Sequence, residues 1–266
     1  MEEILVKNTI RVGNSAGVLL PKKYLNSRVK IILEPLNAEK DILEILSEKK
    51  ILKEILGIYL VGSYARNEET IESDIDVLVI TQNTGKRIKE GKYDILCISK
   101  EELERLLIDN ILPILPMIRE AKVIINENLV KEHINSPLTK KNLKWHIDTT
   151  KSALKVVSEY IKLAEENEEE VSDSASYSLI LRLRTLYIID CLKKDRLWKK
   201  QEFLNLIKKI SGSLIAYERY LIVKNDKSRS YKLPIEEARR LMNYVTKKVK
   251  ELEIWVNKRK NQERKD

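Results

Sequence analysis

Two short stretches hold the side chains best suited to chemistry. "GSYARNEETIESDID", Gly62 to Asp76, sets a Gly-Ser pair ten residues before the carboxylates Asp74 and Asp76, and "KYDIL" places a third, Asp94, between apolar neighbours. A glycine closing a strand lets backbone approach a ligand closely, and Ser63 offers a hydroxyl and an amide at a helix start, so the pair can hold a polyphosphate. Arg66 follows closely enough to reach the same anion with its planar fork of donors. Asp74 and Asp76, two apart on a strand, point to one side, where their repulsion needs a cation. Hard oxygen ligands beside a phosphate suit Mg2+. A charge at Asp94 is costly among apolar residues unless paired or metal-bound. Three carboxylates on neighbouring strands can hold two metal ions that activate an attacking oxygen and stabilise a departing pyrophosphate. Plainer roles stay open: Ser63 as a helix cap, Asp94 as an outward-turned surface carboxylate.

The elements that must position these residues run over 37–134. "GIYLVG", "DIDVLVI", "KYDILCIS" and "AKVIIN" read as four buried strands. "DILEILSEKKILKEIL" sets Ile42, Leu46, Ile51, Leu52, Ile55 and Leu56 near one face of a single entering helix. Strands mixed with helices indicate an α/β or α+β layer.

Gly62-Ser63, a ten-residue gap, Asp74-Ile75-Asp76 and the later Asp94 resemble the nucleotidyltransferase superfamily that includes DNA polymerase beta and kanamycin nucleotidyltransferase. The spacing is similar to that of the minimal nucleotidyltransferase antitoxins. The resemblance implies an α+β fold with a mixed sheet and transfer of a nucleoside monophosphate from ATP or another NTP to a hydroxyl. By the same resemblance Asp74, Asp76 and Asp94 would be the catalytic and metal-binding set, and Gly62, Ser63, Arg66 and Ser73 would bind the nucleotide. Many members carry glycine where this chain has Asn67, which implies a stiffer turn.

Residues 1–36 form a piece too small to bury its own core. Two β-type runs, "ILVKNTIRVG" and "SRVKIILEP", flank an Asn14-Ser15-Ala16-Gly17 turn, and Pro21 opens a short helical stretch. "RVGNSAGVLLPKKYL" resembles the swapped-hairpin AbrB and MazE-like DNA-binding module. That resemblance implies an intertwined homodimer with Lys7, Arg11, Lys22 and Lys23 near DNA phosphates, while a hairpin used for dimerisation alone is the other reading.

From 138 to 260 the pattern is helical, with five long segments and few glycines, which antiparallel packing would assemble into a bundle. Pro234, and Asp173 or Ser174, mark helix starts. The layout and "LRLRTLYIIDCL" resemble HEPN bundles and the substrate-binding half of antibiotic nucleotidyltransferases. No histidine follows Arg182 or Arg184, so ribonuclease chemistry is not expected. Arg182, Arg184 and Tyr187 either face a nucleotide cleft or pair with acids inside the bundle. His146 reads as a packing residue, and Trp145, Trp198 and Trp255 as core or interface anchors. The tail "NKRKNQERKD" reads as solvated.

The chain has 266 residues and a formal charge of +9, which favours polyanionic partners, although its charges are interspersed as on a solvated surface. No run of eighteen apolar residues occurs and the N-terminal stretch lacks a signal-peptide pattern, so a cytoplasmic protein without membrane contact is expected. Cys97 and Cys191 read as reduced, buried fillers. The expectation is a Mg2+-dependent nucleotidyltransferase moving AMP to a protein or RNA hydroxyl, in a toxin–antitoxin-like setting. A small-molecule nucleotidyltransferase, or a DNA-binding regulator that uses the fold to sense nucleotide, are the alternatives.

Overall fold

The computed structural model describes residues 5, 7, 9–13, 15–32, 37–71, 73–225 and 233–262; of Arg11 and residues 259–262 it describes only the backbone. Three apolar runs make the heart of the sheet. β3 (Ile55–Val61), β4 (Ile75–Thr81) and β6 (Tyr93–Ser99) are flanked by β5 (Lys86–Glu90) and β7 (Lys122–Ile125) in the order β5-β6-β4-β3-β7. β4 and β6 run parallel, whereas β3–β4, β3–β7 and β5–β6 are antiparallel. The sheet is therefore mixed, and the α+β class expected from the sequence is what is observed. Charged edges such as "KRIKE" and the lysine opening β7 discourage further strand pairing.

Side-chain alternation divides the sheet's two faces between two apolar clusters. Ile58, Val77, Val79, Ile95 and Cys97 pack under α1 (Ala38–Glu48). Tyr59, Val61, Leu78, Ile80 and Ile98 join a larger cluster that continues through α3 (Lys100–Asp109), α4 (Leu115–Glu120) and α5 (Glu127–His133). The same cluster runs on into α6 (Lys140–Glu166), α7 (Asp173–Lys193), α8 (Lys200–Ser211), α9 (Ile215–Lys224) and α10 (Ile235–Gln262). Burying one such Ile or Leu contributes about 1.5–3 kcal/mol, so sheet and helices are joined by core rather than by a thin contact.

Local signals explain the helix starts. The Asn37 side chain accepts from the Lys40 amide at the head of α1, and Thr139 and Asn142 cap each other's backbone at the head of α6. α7 starts after Ser172, one residue before the earlier of the two expected positions. The five bundle helices fall on the five segments read from the sequence.

Four expectations need correction. The entering helix stops at Glu48. Lys50 adopts a positive φ of 59°, a short 3-10 turn spans Leu52–Glu54, and Ile55 and Leu56 belong to β3. β-branched Ile55 suits the strand, and pairing with β4 outweighs helical periodicity there. β5 was not expected, because a mostly charged run gives no apolar alternation. In the N-terminal piece the hairpin is tighter than expected: β1 (Ile10–Val12) pairs with β2 (Ser15–Gly17), so Ser15, Ala16 and Gly17 are strand rather than turn. Residues 28–32 form no strand, and Asn14, residues 33–36 and tail residues 263–266 lie outside the described residues. The helical turn after Pro21 is present as a 3-10 turn, Lys22–Tyr24. No helix among the described residues is long and apolar enough to cross a membrane.

Candidate active site

β3 ends at Val61, and Gly62, at a φ of +72°, turns the chain into the short α2 (Gly62–Arg66). The antiparallel register sets Val61 opposite Asp76 of β4, and the parallel register sets Asp76 opposite Asp94 of β6. Asp76 lies so close to the turn that a Cβ on residue 62 would stand 2.2 Å from its Oδ2. Glycine at 62 thus serves both the left-handed backbone and the space the carboxylate occupies.

The three aspartates differ in surroundings. Asp74 is exposed just before β4, and Asp76 is half-buried. Burial, then the neighbouring Asp94 and Asp74, push the Asp76 carboxyl above its ordinary range, against the pull of Arg66 and Arg87. Asp94 instead receives both Nε and Nη2 of Arg87 at 2.6 Å, with Lys89 Nζ at 3.6 Å. The Arg87 hydrogen bond holds the Asp94 carboxyl below its ordinary range. Among the described residues no group of three or more His, Cys, Asp or Glu converges at metal-ligating distance. The structure therefore brings Asp74, Asp76 and Gly62 together, with Asp94 alongside and turned to Arg87. For a divalent cation, Asp74 and Asp76 fit as hard oxygen donors whose negative charge no neighbouring cation pairs with among the described residues.

Glu120, at the end of α4, was not visible from the sequence. Its buried carboxylate accepts the Gly62 N–H at 2.7 Å through Oε1 and Arg66 Nη1 at 2.6 Å through Oε2. Arg66 also donates Nε to Glu68 at 2.9 Å and lies over the Trp198 ring at 4.1 Å. Glu68 in turn accepts the Lys200 N–H at 3.0 Å. The guanidinium expected to meet a phosphate thus joins α2 to α4 and to the segment between α7 and α8. At the other end of α2, Asn67 takes the left-handed conformation (φ 54°, ψ 41°) and its Oδ1 accepts Lys122 Nζ at 2.6 Å. Lys122 also donates to Tyr64 O at 2.9 Å, so an asparagine that tolerates the left-handed backbone and a lysine close the turn. Ser73 closes a separate turn, its Oγ accepting the Thr70 N–H at 2.9 Å, and Ser63 is half-buried in the first turn of α2.

The remaining candidates lie elsewhere. Lys7, Lys22 and Lys23 are exposed in the N-terminal piece, Lys23 lies over the Tyr24 ring at 4.7 Å, and the Arg11 side chain is outside the described residues. Tyr187 donates to Glu202 at 3.0 Å, Arg184 lies 5.0 Å over Trp198, and Arg182 reaches Thr149 Oγ1 at 3.2 Å. His146 is buried with Nε2 2.6 Å from Asn110 Oδ1; burial, then Arg182, lower its pKa to about 4. Cys97 and Cys191 are free and buried.

The nucleotidyltransferase domain family matches residues 39–263. Over 53 residues the chain is 51% identical to a relative from Methanocaldococcus jannaschii that is a protein adenylyltransferase by name. The match covers 19% of this chain and 52% of the relative, so the chain spans about half the length of the curated relative it matches. Two solved structures are similar at low identity. A nucleotidyltransferase-like protein from Exiguobacterium sibiricum is 14% identical, with 84% of this chain and 78% of that chain covered and a TM-score of 0.38. Spectinomycin adenyltransferase from Enterococcus faecialis, solved with ATP and spectinomycin, is 15% identical, with 80% and 98% covered and a TM-score of 0.41. With most of its length inside the family match, this chain belongs to the nucleotidyltransferase domain family.

Proposed function

We propose that this protein transfers AMP from ATP to a hydroxyl on a protein, with the reaction at the Gly62–Asp76–Asp94 end of the sheet. The carrying observation is the pair Asp74 and Asp76, carboxylates without a cationic partner among the described residues, beside a glycine whose missing Cβ leaves room for Asp76. The name of the archaeal relative supports AMP as the group and protein as the acceptor.

Asp74 and Asp76 would hold Mg2+, which when bound supplies charge neutralisation for the triphosphate. Because Glu120 already takes the Gly62 N–H, Ser63, through its hydroxyl and amide, is the motif residue left to meet the β- and γ-phosphates. Asp94 would accept a hydrogen bond from the acceptor hydroxyl and take its proton, for which its bidentate contact with Arg87 must open, because that pairing lowers its basicity. The acceptor oxygen bonds to the α-phosphorus while the bond to the bridging oxygen breaks, and pyrophosphate leaves with that electron pair. Positioning and charge account for most of such a reaction, so few residues suffice.

The test is intact-mass spectrometry of the protein, alone and with extract of its host, after incubation with ATP and Mg2+. A gain of one AMP on a protein is expected, with none in Asp74→Ala/Asp76→Ala. That variant should keep its circular dichroism and melt no lower than wild type, because it removes repulsion rather than pairing. Transfer that persists in the folded double variant would overturn the site. Absence of transfer with every NTP would overturn the activity.

A further inference from the structure

α6 carries an apolar stripe that is exposed among the described residues. Its inner face, including Leu143, Ile147, Val157 and Ile161, is buried against the rest of the protein. On its outer face Trp145 is 55% exposed, Val156 55%, Tyr160 40% and Leu163 51%. At about 100° per residue, Trp145, Val156 and Leu163 fall within about 20° of one another, with Tyr160 at the edge of the same stripe. A tryptophan and three further large apolar side chains aligned over five turns are more than the scattered exposure of an ordinary surface.

The charges beside the stripe indicate what covers it. They lie on one flank: Lys144, Asp148 and Lys151 in the first half of the helix, Lys155 near its middle, and Glu159, Lys162 and Glu166 in the second; Lys151 also pairs with Glu253 of α10 at 2.7 Å. In an antiparallel helix pair each flank meets the same flank of its copy. Reversal about a point near residue 155 sets Lys144 against Glu166, Asp148 against Lys162 and Lys151 against Glu159, each twice, and Lys155 once against its own copy. The opposite-sign pairs outnumber the one lysine–lysine contact at the centre, and nearly the same reversal brings Trp145 against Leu163. Within one chain Lys144 already pairs with Asp148, and Lys162 with Glu159 at 2.8 Å, so the two copies would share a continuous ladder.

We propose that α6 is a dimerisation helix, packing antiparallel on α6 of a second copy of this chain. The seam is about 27 Å long, from 1.5 Å per residue, and buries on the order of 1,000 Å², at the low end of specific interfaces. So small an interface belongs with weak, reversible contacts, and we expect association in the micromolar range. The proposal stands independently of the proposed transferase activity.

Sedimentation velocity of the full chain, over a concentration series through the micromolar range, tests it. Wild type should pass from monomer to dimer, and Val156→Glu/Leu163→Glu, both at exposed positions, should remain monomeric with an unchanged circular dichroism spectrum. Lys162→Glu, which sets two carboxylates together across the axis, should weaken the dimer about tenfold, and Asp148→Lys/Lys162→Glu should restore it. A wild-type monomer throughout, or a dimer indifferent to the apolar variant, would overturn the proposal. So would failure of the double charge swap to rescue, because the reversed register would then be wrong.

Discussion

Asp76 and Glu120 are carboxylates on opposite sides of the same glycine, and burial raises the pKa of both. Glu120 is fully engaged, with the Gly62 amide on one oxygen and Arg66 on the other. Asp76 has two aspartates for neighbours, and the charges of Arg66 and Arg87 only partly offset them. A buried carboxylate that is hydrogen-bonded on both oxygens holds structure together; one kept among like charges raises the energy of the empty protein until something positive arrives. The two should therefore respond oppositely to removal.

Glu120→Ala should give the largest loss of stability. It leaves Arg66, whose side chain is 9% exposed, with only Glu68 and the Trp198 ring, and orphans the Gly62 N–H. We expect a loss of about 3–5 kcal/mol in urea unfolding, the range for a buried pair deprived of one partner. Glu120→Gln, which retains an acceptor for Gly62, should lose less. Equal losses in the two variants would mean that the Arg66 charge pairing, rather than the Gly62 bond, dominates.

Gly62→Ala probes the space between the two carboxylates. The left-handed backbone alone costs about 1 kcal/mol for an alanine, and displacing the Asp76 carboxylate from a Cβ at 2.2 Å adds to it. A stability loss of about 1–3 kcal/mol is expected, with turnover reduced far more than folding, because Asp76 must move. Turnover that fell only in proportion to the folded fraction would show that the position of Asp76 is not critical.

These residues also mark how far the sequence could be read. β3, β4 and β6 were legible because long apolar runs allow little else, and their register brings Gly62, Asp76 and Asp94 to one end of the sheet. "KRIKE" carried no strand signal, since four of its five residues are charged and only Ile88 turns to the core, so Arg87 and its hold on Asp94 were hidden with it. Glu120 sits in "PMIREAK", where nothing local distinguishes it; its importance comes from residues 58 and 54 positions away. The Arg66 guanidinium was visible, but its burial against Trp198 depends on a bundle residue more than a hundred positions later.

The bundle keeps its own buried ionisable group neutral, which gives a pH-dependent contrast with the sheet. His146 has its pKa lowered to about 4, from an ordinary 6.5, by burial first and Arg182 second. As pH falls through 6.5 the unfolded chain takes up this proton while the folded chain resists until about pH 4. Stability from this group is full above 6.5 and is lost across that window. Between pH 7 and pH 5 the loss should be about 1–2 kcal/mol, and His146→Gln, which can still donate to Asn110, should flatten that part of the profile. An unchanged slope in the variant would assign the acid sensitivity to other groups.

Arg87→Ala should have the smallest effect on folding and the most informative effect on the site. The Arg87 side chain is 61% exposed, so losing its bridge to Asp94 should change stability by less than about 1 kcal/mol. Its removal frees Asp94, on the strand beside Asp76, to turn toward the other two aspartates. If Asp94 completes a cation site, the Mg2+ concentration giving half-maximal transfer should fall severalfold in Arg87→Ala, and added Mg2+ should raise the melting temperature more than in wild type. If instead Arg87 serves the triphosphate itself, transfer should drop with the Mg2+ requirement unchanged. The two outcomes separate an arginine that restrains the third carboxylate from one that works beside it.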